Sequence, residues 1–455
     1  MTMQEKEGSP GSGLKKSLGL LDTVSIEVGA IIGAGIFALT GLAVAKCGPG
    51  LPIAFIIAAL PMVLALLPIG MLASVLPTVG GSFRYPSRIL NPFWGFIGVW
   101  GIMMGIMLGG MPMYSLNFAD YLRVVFPAFD RNLVAVIALS FFFVINLVGV
   151  KAASIVQVGM FFVLLAALLV YIIWGLPAID PANLTPLFPG GMAGLAIASG
   201  MLFFAYMGAN FIIDLGAEIK NAGRNIPLSF AISMPIVIII YTLMGLVTIG
   251  SVPSSICANQ PLSVAAGYFM PPGLALFFTV GGGLLALATT INATFMFASR
   301  YILVFAEDGV FPQALAGVNK RFGTPHWGLL IMFALSLAFL PMGASSFEVL
   351  AYTASIGSIV LLFPILISAM RFPKKMPEAY AKAPFKLKGV WLRAVPILAL
   401  VFGAFFIVAL IMESLTAFLI LVGWMVIGII YYVMRDRYLK KKSGAGLGAI
   451  ADKAM

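Results

Sequence analysis

The chain is 455 residues long, 61% hydrophobic and only 9% charged, with a mean hydropathy of +1.08. No soluble globular protein of this size has that balance, so the chain reads as a polytopic integral membrane protein forming one membrane domain. Its net charge of +11 follows from basic loops facing an anionic leaflet, which leaves no reason to invoke nucleic acid as a partner.

The first 19 residues are polar and rich in Gly, Ser and Lys, and the apolar segment behind them is too long for a signal-peptide core. A disordered cytoplasmic tail is therefore expected over 1–19. Beyond it, apolar runs of about 20 residues, the length that crosses a bilayer, predict twelve transmembrane helices. The first six lie near Asp22 to Ala45, Leu51 to Leu76, Phe93 to Leu122, Leu133 to Val150, Ser154 to Trp174 and Ala193 to Ile219. The other six lie near Leu228 to Gly250, Leu274 to Phe305, Trp327 to Leu340, Val349 to Met370, Ala394 to Ile411 and Leu415 to Met434.

An even number of spans puts both tails on one side. With the tails in the cytoplasm, all of the 27 Lys and Arg except Lys46, Arg123 and Arg131 fall inside, the bias expected of a correct span count and orientation. Cys47 and Cys257 then fall outside, where two cysteines allow at most one bridge and no zinc site; whether they pair stays open.

Two spans break the pattern. Within span 1, Gly29, Gly33 and Gly35 put three glycines in seven residues, lowering helix propensity where a membrane helix should be most regular. Gly29 and Gly33 also fit the G-x-x-x-G spacing that lets helices pack closely. Span 6 carries small and polar residues at mid-depth in Phe203-Phe204-Ala205-Tyr206-Met207-Gly208-Ala209-Asn210. Unwound backbone in hydrocarbon must line a cavity and bind something. Interrupted segments five spans apart point to a secondary transporter built from inverted repeats. The expected organisation is 20–192 as the first five-helix repeat, 193–372 as the second, inverted one, 373–435 as a cytoplasmic loop with helices 11 and 12, and 436–455 as a cytoplasmic tail.

These motifs, with others along the chain, resemble the amino acid, polyamine and organocation (APC) transporter superfamily and its amino acid permeases. Gly29 to Phe37 with Thr40-Gly41 resembles the first-span signature, and Pro77 to Tyr85 the loop after span 2. Asn146 to Lys151 is similar to the turn into span 5; Phe203 to Gly208, Ala217 to Asn221 and Arg224 to Pro227 are similar to the span 6 signature. Asn292 to Arg300, Glu307 to Pro312 and Thr324-Pro325 resemble span 8 and its loop.

The resemblance implies ten core helices in two inverted repeats with broken spans 1 and 6, plus two extra helices, and a substrate site between the breaks. A substrate carboxylate would sit on the amides of Ala34 and Gly35 after Gly33, at the positive end of a helix. Carbonyls around Ala30, Ile31, Phe204 and Met207, beside Gly208, would hold an α-ammonium, with Phe204 as lid. Asn292 and Ser355 are expected to tune selectivity.

Relatives often carry a span 5 lysine beside span 1; here span 5 has no charge, and the matching position is taken as Leu164. Two coupling arrangements remain open. Ala286, Thr289 and Thr290 share one helix face and match the triplet that sodium-coupled relatives set against carbonyls equivalent to Gly29 and Ile32, so a sodium ion is the candidate cofactor. Alternatively, Glu27 and Asp214 are intramembrane carboxylates, each six residues from its break, or roughly 9 Å at 1.5 Å per residue. Such groups default to proton relay or cation attraction. Glu218 and Glu307 are assigned to an inner gate with Arg84 or Arg300, and His326 to a cytoplasmic loop.

The expected activity is secondary active transport of amino acids across the cell membrane by alternating access, ion-coupled through sodium or protons. A polyamine or cationic amino acid transporter or exchanger is the alternative, and a non-transporting nutrient sensor the rival of another class. No hydrolase triad, phosphate loop or metalloprotease helix is present in the sequence, so no enzyme is expected.

Overall fold

The computed structural model describes residues 13–342 and 347–448. Most of the tail expected over 1–19, and the end of the one expected over 436–455, therefore lie outside the described residues. Apolar runs in a membrane close their backbone bonds internally, and the described chain is accordingly helical, with two isolated bridges and no strands.

Among the described residues eleven helices are long and apolar enough to cross a membrane, making this a multi-pass membrane protein. The twelfth expected span, the ninth in order, is the shorter helix His326–Phe339, which passes into a 3-10 turn at Leu340–Met342. Its 14 residues reach about 21 Å, short of the ~30 Å hydrocarbon core.

Both expected breaks exist. Span 1 is two helices, Leu20–Ile31 and Ala34–Cys47, separated at Ile32 and Gly33, whose backbone is non-helical. Span 6 runs as an α-helix over Gly191–Leu202, tightens to 3-10 over Phe203–Tyr206, opens at Met207 and Gly208, and resumes as 3-10 over Ala209–Asp214. A second feature also recurs five spans on. Span 3 contains a π-helical stretch at Met104–Gly110, and span 8 one at Phe278–Leu284.

Both described ends lie on one face. Lys15 Nζ donates to the Arg321 carbonyl, and Arg435 Nε to the Gly309 carbonyl at 2.9 Å. On this terminal face the broken spans are tied down. Leu18 pairs with Ile219, and Val79 with Leu215, in short backbone bridges. Arg300, buried in span 8, grips Glu218 through Nε and Nη2 at 2.9 Å each. Arg84 pairs with Glu307, and Arg88 with Asp308 at 2.6 Å. The four residues assigned to an inner gate thus pair on this face as Arg300 with Glu218 and Arg84 with Glu307. On the opposite face Lys46 pairs with Glu413, tying span 1 to span 11.

Breaking a buried ion pair by removing one partner strands the other charge, a loss of about 3–5 kcal/mol, whereas removing both is far milder. Arg300→Met is therefore expected to lower the melting temperature in detergent by several degrees, and Arg300→Met with Glu218→Gln to recover most of the loss. Equal melting for single and double variants would show that the pair contributes no coupling.

Candidate substrate site

The two breaks interlock through small residues. A Cβ at Gly208, whose φ is +129°, would fall 2.7 Å from the Ala30 carbonyl carbon, and one at Gly35 would fall 2.6 Å from Ala205 Cα. Each unwound segment therefore rests directly on the backbone of the other, which only glycine permits. The amides at the breaks find local partners: Gly33 N donates to Ile31 O at 2.8 Å and Met207 N to Phe204 O at 3.0 Å. The hydroxyl of Tyr241, from span 7, lies 2.7 Å from Ile31 O and 3.2 Å from Ala205 O, so one donor bridges both broken spans.

Between the breaks lies a cavity of about 30 Å³, the space of roughly one water. Ala30, Ile31, Gly35, Phe204, Met207 and Gly208, six of the residues singled out from the sequence, line it together. Thr290, one of the expected ion ligands, lines it too. Its other hydroxyls come from Tyr114, Thr294 and Ser358, and its apolar wall from Ile102 and Ile106 of the span 3 π-helix with Phe211 and Phe297. The last two rings stack at 4.3 Å. No charged side chain lines the cavity. Towards the opposite face a second cavity of about 250 Å³ lies among Phe37, Asn117, Tyr121, Gln260 and Leu287.

The Phe204 carbonyl accepts one hydrogen bond, from Met207 N, which leaves its second lone pair for a ligand, whereas the Ile31 carbonyl already accepts two, from Gly33 N and Tyr241. The backbone of Ala34 opens the outer helix of span 1 as expected. Asn292 departs from expectation. It does not line the cavity but lies behind it, where Nδ2 donates to Gln157 Oε1 at 2.8 Å and to Ala153 O at 2.9 Å, while Oδ1 accepts from Asn146. Ser355 also misses the cavity, bonding back to Ala351 O; Ser358, three residues on, lines it instead.

The residues of the expected cation site do come together. A Cβ at Gly33 would fall 1.6 Å from Thr290 Oγ1, and one at Gly29 3.1 Å from Thr289 Cβ; Ile32 is buried between them in sequence. Both threonine hydroxyls donate to Ala286 O at 2.9 Å, through i−3 and i−4 bonds of their own helix. The same Gly29 position is 2.2 Å from Gln157 Nε2, a buried donor with no hydrogen-bond partner among the described residues. Gln157 is thus a span 5 side chain that meets the glycine face of span 1, as Ser154 meets Asp22 nearer its start. Leu164 lies seven residues after Gln157, about two helical turns, so both share a helix face.

The two carboxylates have separate surroundings. Asp214 accepts from Ser82 N and Ser82 Oγ at 2.8 Å and from Tyr301 at 3.0 Å, which fastens it to the gate. Glu27 is fully buried and faces Ser229 and Ser233 of span 7, with neither oxygen in a well-formed hydrogen bond. Neither carboxylate takes part in any ion pair among the described residues. Both cysteines are free and buried, with Cys47 donating to Ala43 O.

Gln157 and Tyr241 escaped the sequence reading. A search of span 5 for uncharged polar groups, rather than charges, would have found Gln157. Nothing local marks Tyr241 among the 13 tyrosines.

Comparison with known proteins agrees with this arrangement. The chain is 26% identical to a branched-chain amino acid permease of Bacillus subtilis (strain 168), over 93% of this chain and 94% of that protein. It is 31% identical to an uncharacterized transporter of Mycobacterium tuberculosis (strain ATCC 25618 / H37Rv), over 75% and 79% respectively. Against cationic amino acid transporter 1 of Arabidopsis thaliana the identity is 26%, over 81% of this chain and 64% of that protein. The family model described as amino acid permease matches residues 18–435, so nearly the whole span array, both breaks included, places the chain in the amino acid permease family.

Proposed function

We propose that this amino acid transporter carries neutral amino acids with apolar side chains across the cell membrane, by alternating access, with both termini in the cytoplasm. The observation that carries the reading is the central cavity, in which unwound backbone and hydroxyls meet an apolar wall without any charged side chain. The substrate carboxylate takes the free amides that open the outer half of span 1 at Ala34 and Gly35, after Gly33, where the helix dipole is positive. Its ammonium takes carbonyls of Ala30, Phe204 and Met207, that of Ile31 being engaged by Gly33 and Tyr241. Ile102, Ile106, Phe211 and Phe297 receive the side chain, and Phe204 closes over it. A cationic side chain or a polyamine would be buried there unpaired, at a penalty of several kcal/mol. The branched-chain permease among the relatives supports the same substrate class.

For coupling, protons are favoured over sodium. Gln157 presents an N–H donor where a cation between spans 1 and 8 would sit, and this donor is the argument against sodium, since the threonine hydroxyls that donate to Ala286 keep their own lone pairs. Donors oppose a cation; acceptors hold one. Glu27 is a buried carboxylate without an ion-pair partner, on the moving inner half of span 1. The ion pair on that half, Asp22 with Lys151, lies at its start. Repeats at 20–192 and 193–372 account for the breaks at spans 1 and 6 and the π-helices at spans 3 and 8.

The test is uptake of radiolabelled leucine, valine, methionine, arginine and putrescine into proteoliposomes under an inward proton gradient, an inward sodium gradient, or neither. Leucine-type substrates are expected to accumulate with protons alone. Preference for arginine or putrescine would overturn the substrate class, sodium-driven accumulation would restore the Ala286, Thr289 and Thr290 site, and absence of any flux would favour a sensor. Gly35→Ala, which pushes a methyl onto Ala205, is expected to raise the leucine KM at least tenfold; an unchanged KM would remove Gly35 from the site. Glu27→Gln is expected to abolish proton-driven accumulation while sparing leucine counterflow, and equal loss of both would make Glu27 structural.

A further inference from the structure

Away from the central cavity, spans 2 and 7 (Leu51–Val75 and Ala222–Ser251) part towards the terminal face and leave an open groove of about 550 Å³. Leu66 and Leu67 form one wall, Phe230, Met234 and Ile238 the other, and Phe385 of the loop before span 11 borders it. Gly70 forms part of the lining because it has no side chain: a Cβ there would meet Phe230 only at 3.5 Å. Ser74 at the end of span 2 donates to the Phe385 carbonyl at 3.4 Å, which fastens the loop over the end of the groove. One charged residue lines it, Arg224.

Arg224 is exposed in the first turn of span 7, and its side chain makes no ion pair or hydrogen bond among the described residues. It therefore presents a positive charge at one end of an apolar trough, reinforced by the positive end of a 30-residue helix. Lys220 is exposed just before it, and Lys382 and Lys386 flank Phe385 in sequence. The one acid of that loop, Glu378, does not line the groove. Along span 7 the lining runs from Arg224 to Ile238, 14 steps or about 21 Å. That length exceeds the ~15 Å of one leaflet's hydrocarbon, half of a ~30 Å core. The dimensions are those of an acyl chain descending from a headgroup.

We infer that the groove between spans 2 and 7 is a specific site for an anionic glycerophospholipid, with an acyl chain along Leu66, Leu67, Phe230 and Met234 and the headgroup phosphate on Arg224. A phosphate satisfies the guanidinium through paired hydrogen bonds, which a zwitterionic lipid offers less well because its own ammonium competes. The site bears on transport through span 7. Groove-facing Phe230 and Met234 alternate in sequence with Ser229 and Ser233, which face Glu27, and the same helix carries Tyr241, which bridges the two breaks. An acyl chain in the groove would brace the helix on which both lean.

Native mass spectrometry of the whole protein, titrated with phosphatidylglycerol or phosphatidylcholine of identical chains, tests this. The wild type is expected to retain one phosphatidylglycerol at several-fold lower concentration than phosphatidylcholine. Arg224→Gln, an exposed change that leaves the fold intact, should weaken phosphatidylglycerol retention about fivefold, the factor for roughly 1 kcal/mol per basic residue at an anionic surface. Gly70→Leu should fill the groove and lower retention of both lipids, with an unchanged melting temperature as its folding control. Equal retention of the two lipids by the wild type, or undiminished phosphatidylglycerol retention by Arg224→Gln, would overturn the assignment. Retention of both lipids unchanged by a folded Gly70→Leu would overturn the groove as the acyl site.

Discussion

Backbone that is not hydrogen-bonded to itself has no place in hydrocarbon, and the centre of this protein follows from that constraint. At Ile32–Gly33 and Met207–Gly208 the helices let go of their own carbonyls and amides. The chain answers in two ways. Local turns and Tyr241 take up part of the freed polarity, and the remainder faces a small cavity where a ligand with an ammonium and a carboxylate can complete it. A zwitterion is the natural complement of paired helix ends, because one end offers donors and the other acceptors.

The glycines of span 1 do two jobs that looked like alternatives. Gly29 and Gly33 are packing positions, one against Gln157 and Thr289, the other against Thr290, as a close-approach motif requires. Yet Gly33 also sits at the break itself, and Gly35 brings the outer half of span 1 onto Ala205. Close packing and unwinding support one another here: a helix pressed this tightly against its neighbours can lose its internal bonds without opening a void.

Around the centre, stability and switching are segregated. The terminal face holds the buried Arg300–Glu218 pair, the Arg84–Glu307 contact and the Asp214 cluster, all of which touch the inner parts of span 6, its loop or span 8. Under the proposed alternating access, opening on this face would break the group together, because Asp214 and Glu218 belong to one short stretch of chain. Glu27 stands apart, buried against serines on span 7 and outside every ion pair among the described residues. It therefore stands outside the ion-pair network of the terminal face.

The sequence by itself determined the membrane class, eleven of the twelve expected spans among the described residues, both breaks and the charged residues that pair on the terminal face. Each of these is written in local composition: apolar runs, glycine density, and basic residues that collect on one side. Asn292 and Gln157 mark where that legibility ended. Both are polar residues in apolar helices, and no spacing rule says whether such a residue faces a cavity, a neighbour or its own carbonyl. Tertiary packing decided that Asn292 turns to Gln157, that Gln157 turns to Gly29, and that Thr289 and Thr290 bond within their own helix. It also decided that Tyr241, thirty-six residues after Ala205 and 210 after Ile31, would reach both. Helical periodicity tells which residues share a face; only the assembled bundle tells what that face meets.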